Sequence, residues 1–257
     1  MSPTALVYHK VDDKIELGVT RVTTANFQNQ IDLLLRRGYT FKTLSGIKND
    51  SSNNLSVAIT FDDAYESVFL NAYPVLKAYS LPATIFVITD FIGKENTWDL
   101  NVGNIKFRHA SLDQLKIMKD SGWEIGSHSK THRDMRTLES EDLKEELNDS
   151  KAILERELES EVKIISFPFG KTSESVIDSA IEAGYESGTI FHPLRQRFNK
   201  KHEAFLIKRL GVYLWDYEFF FKAKLAESPL RPLEIFKQNV LNAFATVTII
   251  SQGRKKN

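Results

Sequence analysis

The chain has 257 residues, 42% of them hydrophobic, with 34 basic and 34 acidic side chains and no cysteine. That length and composition suit one large folded domain with a full core and argue against disorder. A net charge of zero gives no general attraction to nucleic acid, and the lack of cysteine removes disulfides, thiolate nucleophiles and cysteine-based zinc sites.

The first residues, Met1 to His9, show no basic region followed by a long apolar run, and no stretch approaches the ~18 apolar residues of a membrane span. The expectation is a cytoplasmic protein without a transmembrane segment, although a secreted protein trimmed of its leader would read the same way.

Short apolar runs then alternate with helical patterns. Ala5 to Tyr8 reads as a strand. Thr24 to Arg37 reads as a helix, with Phe27, Ile31, Leu34 and Leu35 at helical spacing and Gly38 as its stop. The stretch Asn49 to Asn54 is polar and reads as a loop. Val57 to Phe61 is a strand, Glu66 to Tyr79 a helix and Ala83 to Ile88 a strand. Ser111 opens a helix that ends near Gly122, followed by a short strand from Trp123 to Gly126. Leu138 to Leu158 is a long charged helix, Val162 to Phe167 a strand, Ser173 to Ala183 a helix and Tyr185 to Ile190 a strand. Leu206 to Val212 reads as a further strand, and Tyr217 to Leu225 and Pro232 to Ala245 as helices. This alternation predicts an α/β fold with a mostly parallel sheet, and about seven units favour a barrel over an open sheet. No linker divides the chain, so one domain over 1–257 is expected, with 230–257 a C-terminal helical extension.

Two segments carry chemistry. The strand Val57 to Phe61 runs into two adjacent carboxylates, Asp62 and Asp63. Taken alone, Asp63 could simply cap the next helix. The strand Trp123 to Gly126 leads into His128 and His132, four residues apart. On a helical turn such a pair shares one face and can reach one ion. Chance spacing is the rival for either motif alone. Both lie at the carboxyl ends of predicted strands, where barrel enzymes build their sites. Two imidazoles and a carboxylate leave coordination positions open, as a hydrolytic metal requires.

These residues resemble the polysaccharide deacetylases of the NodB-homology type, carbohydrate esterase family 4. The first family motif stands as Thr60-Phe61-Asp62-Asp63, the second as Glu124 to His132, and the third as Ser166-Phe167-Pro168-Phe169-Gly170. The lead-ins Tyr8 to Val11 and Leu112 to Leu115 are also similar, and the likeness spans roughly residues 5 to 226. The resemblance implies an incomplete or distorted (β/α) barrel and a divalent metal held by Asp63, His128 and His132. Zinc is the first choice, with cobalt, nickel, manganese or iron as alternatives. It implies Asp62 as catalytic base, and Phe167, Pro168 and Phe169 as one wall of a substrate groove. The implied reaction removes an N-acetyl group from an amino sugar in a polysaccharide or its precursor. Alternatives are deformylation, a nucleotide- or lipid-linked substrate, and a non-catalytic carbohydrate-binding relative. Partners are then a carbohydrate and no nucleic acid, with a homo-oligomer left open.

Two departures from the family pattern stand out. The arginine of the third motif, which braces the catalytic aspartate in many members, is Ser166 here, and the final motif that supplies an acidic histidine is absent from Leu206 to Val212. His9 ends the first strand, so barrel geometry aims it at the site and makes it a candidate for the missing acid. His109 reads as structural, His192 and His202 as solvated, and Trp98, Phe107 and Trp215 as core residues or sugar platforms.

Overall fold

A computed structural model describes residues 4–14, 18–48, 55–97, 106–192 and 198–239. Seven parallel strands close into a barrel in sequence order. They are β1 (Thr4–Tyr8), β2 (Ser56–Phe61), β3 (Thr84–Val87), β4 (Glu124–Ser127), β5 (Ile164–Ser166), β6 (Ser187–Phe191) and β7 (Leu206–Gly211). Strand β1 closes the ring: Leu6 is in register with Ile59 of β2 on one side and with Leu210 of β7 on the other. The expected parallel barrel is therefore present, one strand short of the familiar eight.

Alternation along the strands separates two cores. Leu6, Tyr8, Ile59, Phe61, Ile85, Ile125 and Ile165 face outward into the large core beneath the helices. Ala5, Ala58, Phe86 and Ile164 face inward and form a second, small cluster. Leu44 and Ile47 join that inner cluster. Helix α2 (Leu44–Lys48) thus plugs the amino end of the barrel, tied there by Leu44 N–H donating to Thr84 Oγ1 and Ser45 N–H to Glu124 Oε2. Gly126 also faces inward, where a Cβ would come within 2.5 Å of the Phe86 ring.

The outer helices follow their sequence signals. Helix α1 (Thr24–Arg36) is capped by Thr23, buries Phe27, Ile31 and Leu34, and stops at Gly38, whose φ is +75°. The predicted helix from Glu66 to Tyr79 holds a π-helical turn, Val68–Ala72, before α3 (Tyr73–Ala78). Pro74 explains it: proline has no N–H and its ring would strike the Leu70 carbonyl in an α-ladder, which the wider turn avoids. Helix α4 (Leu112–Asp120) has a capping box between Ser111 and Gln114. Helices α5 (Ser140–Leu158), α6 (Glu174–Glu182), α7 (Lys200–Phe205) and α8 (Glu218–Lys222) complete the shell.

Residues 231–239 are helical and dock on the barrel: Gln238 accepts from Gly211 N–H and donates to Gly211 O at the end of β7. The rest of the expected C-terminal helix, the loop 49–54 and Trp98 lie outside the described residues. No described helix is long and apolar enough to cross a membrane.

Candidate active site

The carboxyl ends of β2, β4, β5 and β7 converge above the inner core. The chain leaves β2 through Asp62, whose N–H still bonds Tyr8 O of β1 (2.9 Å), and then turns sharply. Asp63 and Ala64 have φ of 67° and 50°, a left-handed pair of non-glycine residues. Such backbone is sparsely populated and persists only where the surroundings enforce it. His109 is one enforcer: buried and stacked on Tyr65 (4.8 Å, 19°), it donates from Nδ1 to the Asp63 carbonyl at 2.6 Å. Ala110 N–H donates to Ala64 O at 2.8 Å. The structural reading of His109 fits this placement, since it holds the backbone of a site residue.

His128 and His132 meet Asp63 across the barrel mouth. One ligand atom from each of the three lies within 4.8 Å of the others, and all three side chains are buried. Among the described residues this is the cluster able to hold a metal. His128 Nε2 lies 3.3 Å and His132 Nε2 3.5 Å from Asp63 Oδ1. The two histidines do not share a helical turn, as their spacing suggested. Residues 128–133 form an irregular loop in which Ser129 (φ 68°) and His132 (φ 61°) are left-handed, and that geometry folds the second imidazole back.

The donor set fits a divalent cation. His128 Nδ1 donates to Ser166 O at 2.7 Å, which fixes its tautomer and leaves the Nε2 lone pair facing Asp63. Asp63 Oδ1 is buried without a hydrogen-bond donor, although two imidazole nitrogens stand close; those contacts have charge-pair distances but not hydrogen-bond geometry. A buried, undonated carboxylate oxygen is costly unless a cation fills the gap. Burial and the neighbouring His128 push the His132 pKa down to about 3, so its imidazole is neutral, as a ligand must be. Burial alone would raise the Asp63 pKa, but His128 and His132 outweigh it and hold the carboxyl well below its ordinary range.

Asp62 points the other way, into the barrel, and meets a partner that the sequence reading missed. Arg209 of β7 is fully buried and forks onto Asp62, Nη1 to Oδ1 and Nη2 to Oδ2, both at 2.8 Å. The same guanidinium donates to Thr60 Oγ1 (2.9 Å) and Ser166 Oγ (2.8 Å), and lies 5.0 Å from the Phe86 ring centroid. Ser166 Oγ donates in turn to Asp62 Oδ2 at 3.2 Å. The brace absent at position 166 is thus supplied from another strand, and the small Ser166 leaves room for it. A signal was present: Arg209 lies two residues after inward Ile207, on the same face of the strand, so its side chain enters the barrel. Burial would raise the Asp62 pKa, but Arg209 and His128 overcome it and hold the carboxylate ionised.

Of the expected groove wall, Phe167 is wholly buried in the outer core, Pro168 is buried, and Phe169 touches a histidine of the cluster. Phe169, half-buried and left-handed at φ 60°, sets its ring edge-on to His132 at 4.7 Å. Gly170 must be glycine, because φ is +63° and a Cβ would sit 1.9 Å from Phe191. His9 follows β1 and is half-buried. Phe107 is buried, with Lys10 Nζ 4.3 Å from its ring centroid, and Trp215 stacks on Tyr213 at 5.9 Å. His202 is not solvated as expected: it is buried in α7, with Nε2 3.0 Å from Asp178 Oδ1.

A closed parallel barrel with an Asp-His-His cluster and a braced second aspartate defines a class, and comparison with known proteins agrees. The family described as polysaccharide deacetylase matches residues 49–188. The chain belongs to that family. It is 30% identical over 193 residues to YxkH of Bacillus subtilis (strain 168), covering 73% of this chain and 64% of YxkH. It is 32% identical over 181 residues to the poly-beta-1,6-N-acetyl-D-glucosamine N-deacetylase of Staphylococcus aureus (strain MSSA476), covering 65% of this chain and 60% of that protein. Among solved structures, BC0361, a polysaccharide deacetylase from Bacillus cereus, superposes with a TM-score of 0.73 at 26% identity, covering 87% of this chain and 69% of that one. The chain thus spans less than two thirds of the curated relatives it matches.

Proposed function

We propose that this chain is a metal-dependent hydrolase that removes the N-acetyl group from an amino sugar in a polysaccharide or its precursor. The observation that carries the reading is the convergence of Asp63, His128 and His132 within 4.8 Å, beside an Asp62 that cannot swing into the cluster because Arg209 holds both its oxygens. The name of the Staphylococcus aureus relative supports an N-acetylglucosamine polymer as the substrate class.

Zinc is the metal the donor set suits first; when bound it polarises the amide carbonyl and acidifies the attacking water. Asp63, His128 and His132 would hold it. Asp62, ionised and fixed in direction, accepts a proton from that water as its oxygen bonds to the amide carbon. His9, which follows β1 at the carboxyl end of the barrel, is the candidate to donate the proton that the departing amine needs when the C–N bond breaks, giving acetate and a free amine. Phe169 offers an apolar wall against which a sugar face can lie.

The test is acetate release from N-acetylglucosamine oligomers by the purified chain. We expect release that a chelator abolishes and added zinc restores. Release that persists after complete metal removal would refute the metal reading.

A further inference from the structure

The loop that carries His132 is held by a residue outside the three motifs. Glu146 of α5 has no exposed surface, a placement a carboxylate tolerates only when its oxygens are satisfied. All its donors come from the ligand loop. Oε2 accepts the consecutive backbone N–H groups of Lys130 and Thr131, each at 2.9 Å. Oε1 accepts Thr131 Oγ1 and Arg133 Nε, the latter at 3.1 Å. These donors stand on both sides of His132. The other ties on the loop backbone are between neutral groups: His132 N–H donates to Ser129 Oγ at 3.0 Å, Ser129 N–H donates to Ser127 Oγ at 3.1 Å, and Ser129 O and Lys130 O accept from Thr89 and Asp90 N–H at 3.2 and 3.0 Å. The side chains of Lys130 and Arg133 also pair with the more exposed Glu145, Asp149 and Asp142 of the same helix, but these hold side-chain tips and not the backbone beside His132.

We propose that Glu146 is a positioning residue: its buried carboxylate clamps residues 130–133 and so holds His132, in its left-handed conformation, against Asp63. The proposal rests on the metal-site reading above. Hydrogen bonds to an ionised acceptor are roughly twice as strong as neutral ones, so four on one carboxylate can maintain a backbone that would otherwise relax. Without the clamp, the His132 φ of 61° has less to sustain it, and the imidazole loses its fixed aim. Helix α5 is buried along Leu143, Leu147 and Leu154, and that packing anchors it.

The test measures zinc affinity by chelator competition, well below the melting temperature. Glu146→Gln keeps the volume but turns one acceptor into a donor that must face another donor. It should weaken zinc binding by roughly 10–100-fold, the usual range for a group that orients a ligand. Glu145→Gln, which alters only an exposed partner of Lys130 Nζ, should leave affinity unchanged. Leu147→Ala should lower the melting temperature yet keep the affinity, separating aim from stability. If Glu146→Gln does not fold, Thr131→Val removes one donor of the clamp and should weaken binding by about 5-fold, as expected for losing one hydrogen bond. Wild-type affinity in Glu146→Gln, or in Thr131→Val where that variant carries the test, overturns the proposal while the metal site stands. A wild-type chain that binds no zinc overturns both.

Discussion

The two halves of the site are built differently. Asp63, His128 and His132 sit on turns just past β2 and β4, where left-handed residues bend the chain and backbone contacts hold each ligand. Asp62, Thr60, Ser166 and Arg209 form a ladder of inward side chains on three strands, joined by side-chain bonds inside the barrel. The first half comes from two segments and leaves a buried carboxylate oxygen without a donor; the second comes from three segments and saturates its carboxylate. A metal needs lone pairs left open, whereas a proton acceptor needs fixed direction and charge. On the proposed reading, the contrast separates ion binding from proton transfer.

The sharpest way to break that division is to remove one member of the first half. His128→Ala or Asp63→Asn should abolish both metal binding and acetate release, with a loss beyond the roughly 100-fold typical of outer-shell changes. Metal content by atomic absorption and turnover should fall together. Asp62→Asn should instead lower turnover by about 10²–10⁴ with metal content intact, the usual range for losing acid–base help. A fully active Asp62→Asn protein would remove Asp62 from the reaction.

Arg209→Met probes the brace. It leaves the Asp62 carboxylate buried without its partner and should cost about 3–5 kcal/mol of stability, read from urea unfolding. Adding Asp62→Asn should return part of that stability but none of the activity. If Arg209→Met alone is as stable as wild type, the pair is not the buried ion pair described above.

The smallest expected effect is a pH dependence of the metal-free protein. Burial lowers the folded pKa of His132 to about 3 and also lowers that of His109, while both titrate near 6.5 in the unfolded chain. Below pH ~6.5 the unfolded state therefore binds more protons, so the stability present above that pH is lost as pH falls, by up to about 1.4 kcal/mol per unit per histidine. His128, whose folded pKa is raised by Asp62 and Asp63 against the effect of burial, opposes this slope. Unfolding midpoints between pH 7.5 and 5 should fall with acid, and His132→Gln should flatten the curve.

Local pattern made the barrel and the candidate metal cluster legible. Seven apolar runs marked the barrel strands to within a few residues, and the adjacent aspartates and paired histidines fell at strand ends. What escaped has physical causes. The two-residue strands Lys10–Val11, Arg21–Val22 and Thr40–Phe41 are too short to show a period, and α2 is a five-residue plug. The His128–His132 spacing suggested a helical turn because left-handed backbone at Ser129 and His132 leaves no trace in residue type. Arg209 was hidden because its partner lies 147 residues away, and only barrel closure brings β7 near β2. Phe167 belongs to the core because it faces outward from the barrel, the opposite side from Ser166.

The separation of ligand set from base is tested most directly by anomalous diffraction from crystals of the zinc-loaded protein. We predict one zinc ion bound by an Asp63 oxygen and by Nε2 of His128 and His132, at about 2.0–2.2 Å. Asp62 should remain on Arg209 and outside the ligand set. A zinc ion ligated by Asp62, or one that leaves out either histidine, would contradict the account.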